Sequence, residues 1–150
     1  MGGASALLQA MRYPGMFSAV VSHAGAFEAP FRRGDPYSAV RGDQRCAIPP
    51  TAVHERVWGP YGSVTRSSYD PYSMIRSWRS EMSLHVYSDV GTCDYERIVQ
   101  MNRNVVLALR AAGIGVEYHE RAGAHDLEFL SSALPYSLDF ACRMLVCTAE

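Results

Sequence analysis

The sequence predicts an α/β fold in which helices are layered on a mostly parallel sheet. Three observations carry that expectation. A helical pattern runs straight into an apolar, small-residue stretch at 17–27 (FSAVVSHAGAF), the signature of a strand covered on both faces. Two more strand-like runs, 84–90 (LHVYSDV) and 114–120 (IGVEYHE), flank an amphipathic helix, as in a strand–helix–strand unit. The chain has 150 residues, 48% of them hydrophobic and 19% charged. A domain of that length buries roughly 68–70% of its extended surface, enough for a real core.

The formal net charge of −1 beside that apolar content argues against disorder. It also lacks the basic surplus of a nucleic-acid binder. All fourteen basic residues are Arg, and they are scattered. No apolar run reaches the ~20 residues of a membrane span, and the opening residues lack the basic-then-apolar order of a signal peptide. Any export signal would lie upstream, so the compartment stays open, with the cytoplasm only a default. Cys46, Cys93, Cys142 and Cys147 form no CxxC pair and read as free thiols packed as small apolar groups.

Each element has its own justification. Residues 2–13 place Ala4, Leu7, Leu8 and Met11 at helical spacing, and Pro14-Gly15 stops the pattern. The strand at 17–27 follows. Residues 28–80 hold Pro30, Pro36, Pro49, Pro50, Pro60 and Pro71 with Gly34, Gly42, Gly59 and Gly62, which reads as a loop-rich insertion with short helices. Such an excursion suits a lid or binding loop. Its two Arg-Gly-Asp triplets, at 33–35 and 41–43, are attributed to chance in a Gly- and Asp-rich loop. After the strand at 84–90, Asp94 stands where a helix N-cap would be. Residues 95–112 then carry Ile98, Met101, Val105 and Leu109 on one face, closed by Gly113. The strand at 114–120 leads through a turn at 121–126 into helical sequence from Leu127, which Pro135 is expected to split in two. The whole chain, 1–150, reads as one partial domain.

In open α/β sheets, functional groups collect beyond the carboxyl ends of the strands. Two such loops carry ionisable residues, Asp94 after one strand and His125 after the next. A carboxylate there can hold an imidazole in one tautomer and leave its other nitrogen free as a general base. Taken alone, the same residues also fit an N-cap and a turn position beside the cap Asp126. Asp89 is a rival carboxylate, but it lies inside the strand pattern and is expected to point along the sheet.

Several motifs, in order, resemble the putative-esterase family of α/β hydrolases. Met1-Gly2-Gly3-Ala4-Ser5 resembles the right-hand half of a G-x-S-M-G-G elbow followed by its helix. Arg12-Tyr13-Pro14-Gly15-Met16-Phe17 resembles the family's link into the next strand, and Ser22-His23-Ala24-Gly25 its "S-x-S-G" strand end. Val57-Trp58-Gly59-Pro60 and Asp70-Pro71-Tyr72 are similar to its insertion marks. Gly91-Thr92-Cys93-Asp94 is similar to its acid loop and Gly123-Ala124-His125-Asp126 to its base loop.

The resemblance implies the C-terminal part of an α/β-hydrolase, a three-layer fold missing its N-terminal strands. It implies a serine carboxylesterase that uses no cofactor and no metal, with Asp94 as triad acid and His125 as general base. Met1 would follow the nucleophile, its backbone N–H forming half the oxyanion hole. The nucleophilic serine itself is expected ahead of Met1, and Ser5 lies a helical turn too late to replace it. The chain by itself is therefore expected to be nearly inert as an esterase. Trp58, Tyr61, Tyr72 and Trp78 are candidates for a substrate wall. The expected partner is a small-molecule ester. The strand at 17–27 would be an open apolar edge, inviting a homodimer or a complementing N-terminal half. Two alternatives stand beside this: a noncatalytic pseudo-enzyme that binds protein through its open edge, and an acyltransferase.

Overall fold

A computed structural model describes residues 2–28, 51–79 and 83–146. Among these residues three strands form a parallel sheet in the order β1-β2-β3, with β1 at Ala19–His23, β2 at His85–Gly91 and β3 at Gly115–Arg121. Register pairs His23 with Asp89 across β1 and β2, and Gly91 with Arg121 across β2 and β3. All three strands therefore end at one edge. Among the described residues β1 and β3 are both edge strands. The expected element order holds.

Helix α1 (Gly2–Arg12) enters the core through Leu7, Ala10 and Met11, at the spacing of one helix face. Among the described residues between β1 and β2 lie three short helices, α2 (Thr51–Trp58), α3 (Val64–Ser67) and α4 (Pro71–Arg76). Asp70 starts α4: its carboxylate accepts from the N–H groups of Tyr72 and Ser73, and Pro71 takes a position where no N–H is required. Helix α5 (Glu96–Ala111) joins β2 to β3 and buries Ile98, Met101, Val105 and Leu109. One cluster packs Leu7, Met11, Val20, Val86, Val105, Val106 and Leu109 together, so α1 and α5 cover one sheet face. Helix α6 (Leu127–Val146) packs on β1 and β2 from the other, where Phe140 lies 5.6 Å from the Tyr87 ring. The result is a three-layer α/β arrangement.

Four details depart from the sequence-based expectation. The first strand covers only Ala19–His23, and its burial alternates, with Val20 and Ser22 buried and their neighbours half-covered. Only one of its faces is fully packed. Pro135 does not split its helix, because α6 runs continuously through it. The bond that proline forfeits belongs to the carbonyl of exposed Ser131, which water can satisfy. Meanwhile Phe129, Ala133, Ser137 and Phe140 stay on one buried face. Nor is Asp94 the N-cap of α5. Tyr95 holds that place without a side-chain cap bond, and the Asp94 carboxylate is engaged elsewhere. Nor are the cysteines packed inside as expected, since Cys93 and Cys142 are both exposed. Both Arg-Gly-Asp triplets, Cys46, Cys147 and Met1 lie outside the described residues.

Candidate active site

The loops after β2 and β3 touch because glycine lets them. A Cβ on Gly91 would stand 2.3 Å from the Gly123 carbonyl oxygen, closer than any side chain tolerates. Two backbone bonds close the gap: Thr92 N–H donates to Arg121 at 2.7 Å, and Cys93 N–H to Gly123 at 2.8 Å. This contact carries the carboxylate of one loop to the imidazole of the other.

The Asp94 side chain is fully buried. It accepts from the Tyr95 backbone N–H at 2.6 Å and meets His125 Nδ1 at 2.9 and 3.1 Å from its two oxygens. An ionised carboxylate is an acceptor only, so Nδ1 must carry the proton. In the neutral ring Nε2 is then an unprotonated base. No described residue hydrogen-bonds to that nitrogen, and the His125 side chain is 42% exposed. The Tyr95 ring lies 5.7 Å from the imidazole, tilted against it. Downstream, Asp126 caps α6 by accepting from Phe129 N–H at 2.8 Å, which fixes where the base loop ends.

Beside His125 opens a cavity of about 300 Å³, lined by His23, Ala24, His125, Asp126, Leu127, Phe129 and Leu130. Ala24 sits at φ 47°, in the left-handed region. For a residue with a Cβ this conformation is strained, and such strain concentrates at functional sites. The N-terminus of α1 abuts the same strand end: a Cβ on Gly3 would lie 2.5 Å from Ser22 Oγ and 2.8 Å from the His23 carbonyl oxygen.

The structure thus brings Asp94 and His125 together. The four aromatic wall candidates lie elsewhere among the described residues. Tyr72 and Trp78 pack against the core cluster of α1 and α5. Tyr61 lies under the Arg66 guanidinium, 5.4 Å away, beside a separate cavity between α3 and α4. Trp58 ends α2, half-buried. Tyr72 donates to Glu28, and burial followed by the Glu28 charge pushes its hydroxyl pKa well up. Asp89 does not simply point along the sheet. It is buried against His23, a residue that sequence reasoning left without a role.

Comparison with known proteins shows the family. The family model described as Putative esterase matches residues 1–140. This chain belongs to that family. A curated relative, an acetyl esterase of Caldicellulosiruptor saccharolyticus, is 25% identical over 146 residues, covering 96% of this chain and 52% of its own length. Among solved structures, a ferulic acid esterase is similar at TM-score 0.64 and 21% identity, covering 96% of this chain and 48% of that one. The S-formylglutathione hydrolase of Staphylococcus aureus gives 0.67 at 19% identity, covering 93% of this chain and 50% of that one. A fluorophosphonate-binding serine hydrolase F of the same organism gives 0.69 at 18%, with the same two coverages. These structures share the α/β-hydrolase fold with this chain. The chain spans about half the length of the relatives it matches.

Proposed function

We propose that this chain supplies the acid and the base of a serine carboxylic-ester hydrolase that works by acyl transfer. The observation that carries the reading is the Asp94–His125 pair: a buried carboxylate within 2.9 Å of Nδ1, with no described residue bonded to Nε2 beside a cavity. A serine hydroxyl from polypeptide ahead of Met1 attacks the ester carbonyl, and His125 Nε2 takes its proton. His125 then returns that proton to the leaving alkoxide, while Asp94 stabilises the imidazolium between the two steps. Water repeats the cycle to release the acid. The Met1 backbone N–H supplies half of the oxyanion hole, a contribution of the kind whose removal costs ~10²–10³ in rate.

The similarity to an acetyl esterase and the apolar Ala24, Leu127, Phe129 and Leu130 around the cavity favour short acyl esters as first substrates. No described helix is long and apolar enough to cross a membrane. The test is p-nitrophenyl acetate hydrolysis by the chain extended upstream through a serine elbow, with and without His125→Ala. Near-complete loss in the variant supports the reading. Equal activity removes His125 from the mechanism. The 150-residue chain alone is expected to stay near background.

A protein-binding role has its own support. Strand β1 has one pairing side open among the described residues. Exposed Leu127, Leu130, Leu134, Leu138 and Leu145 also follow one another along α6 at helical spacing. In our reading these surfaces receive a complementing polypeptide or a second copy, which completes the site and is not an alternative to it.

A further inference from the structure

Beneath the cavity lies a second carboxylate–imidazole–hydroxyl chain. His23, at the end of β1, donates from Nδ1 to Asp89 Oδ1 of β2 at 2.6 Å, and its Nε2 lies 3.1 Å from Ser137 Oγ of α6. Asp89 and Ser137 are buried, and the His23 side chain is 17% exposed where it faces the cavity. The second oxygen of Asp89 accepts from Tyr87 O–H at 3.0 Å. Burial pushes that hydroxyl's pKa up, keeping it a donor.

The order of groups is that of a nucleophilic triad, but the surroundings are not. Ser137 is 2% exposed and lines no part of the cavity. Its Oγ also sits 3.0 Å from the Leu134 carbonyl of its own helix. No path brings an ester to it. What the chain does join is three elements: β1, β2 and the middle of α6. The first turns of α6 form the cavity wall through Leu127, Phe129 and Leu130, and the loop feeding that helix presents His125.

We propose that His23 is a positioning residue. Through Asp89 and Ser137 it locks α6 to the ends of β1 and β2, and so fixes the cavity wall and the loop that carries His125. Its meaning for catalysis rests on the acid–base reading of Asp94 and His125, but the lock itself can be tested without activity.

The experiment uses the 150-residue chain, following amide hydrogen exchange and the His125 imidazole resonances by NMR. Variants are His23→Gln, Asp89→Asn, Ser137→Ala and Ser137→Thr. Losing one buried charge-assisted link is expected to speed exchange about tenfold to a hundredfold. That loss should be confined to residues 122–137, with β2 and α5 still protected. Ser137→Ala should also shift the His125 resonances although Ser137 does not touch that ring, and Ser137→Thr should restore both readouts by returning the hydroxyl. Should His23→Gln fail to fold, the two Ser137 variants decide alone. Unchanged exchange in α6, or a uniform rise through every element, overturns the proposal. Asp94→Asn separates the two readings. It should move the His125 resonances without loosening α6, and if it leaves His125 untouched the acid–base reading fails while the lock is judged on Ser137.

Discussion

Replacing Asp94 with asparagine changes one atom and, in this geometry, the protonation pattern of the base. The buried carboxylate holds Tyr95 N–H at 2.6 Å and His125 Nδ1–H at 2.9 Å. In Asp94→Asn the amide oxygen can keep the Tyr95 bond, which turns the NH₂ toward Nδ1. Two donors cannot face each other, so the imidazole proton moves to Nε2. That nitrogen then cannot accept a proton from serine. A tautomer reversal of this type lowers kcat by about 10⁴, or roughly 5.5 kcal/mol at 1.36 per decade. Stability should hardly follow. Exchanging a charge-assisted bond for a neutral one costs about 1 kcal/mol, which moves Tm by roughly 2–4 °C in a chain of this size. The assay is p-nitrophenyl acetate turnover by the elbow-bearing form, with circular dichroism melting in parallel. A kcat loss below tenfold in a folded variant would refute the reasoning.

Other consequences follow from the same packing. Gly91→Ala pushes a methyl into the Gly123 carbonyl, and overpacking of this kind costs about 1–3 kcal/mol. Melting should fall accordingly, and the His125 Nδ1 proton should lose its downfield NMR position as the two loops part. Asn102 is fully buried and donates to Gly25 and Ile98 carbonyls while accepting from Ser88. Asn102→Leu orphans those groups and should destabilise by about 1–3 kcal/mol in urea unfolding, loosening the 24–28 loop beside the cavity. Glu117 and Glu120 have depressed carboxyl pKa values, owing first to hydrogen bonds from Arg143 and Arg103 respectively. Their contribution is present above the unfolded carboxylate value and is lost as pH falls through the folded one. Melting followed through the acid range should therefore show a shallower decline in Arg103→Met and Arg143→Met. The open β1 edge and the leucine row of α6 predict concentration-dependent association. A stable monomer with a high Tm in size-exclusion chromatography at low concentration would count against it.

Most of the layering was legible because helix and strand periods differ and each long element holds one period. The insertion was legible only as irregular sequence, since proline and glycine announce turns without saying where the chain returns. The meeting of Asp94 and His125 was legible for a topological reason: loops at the carboxyl ends of neighbouring parallel strands share one sheet edge. Asp94 as a helix cap was misread because a carboxylate just ahead of a helix has the same local pattern whether it bonds the helix or a distant imidazole. Asp89 and His23 show the complementary failure. Each looks like an odd polar residue in an apolar strand, and only the β1–β2 register, which places them opposite each other, reveals a pair. The parity of their positions was a usable signal. Ser137, some 114 residues further along than His23, could not be joined to them by any local rule. Pro135 was read as a breaker because its tolerance depends on which carbonyl it strands, and exposure of that carbonyl is a property of the packed helix.

The protonation state of a single ring decides whether Asp94 and His125 work as a pair. A ¹⁵N spectrum of the histidine side chains in the folded 150-residue chain reports that state directly. His125 should show a protonated Nδ1 and a bare Nε2, with the Nδ1–H signal abolished by Asp94→Asn. A ring protonated at Nε2 alone, or one indifferent to Asp94, would contradict the claim that these two residues form the acid–base pair of an esterase.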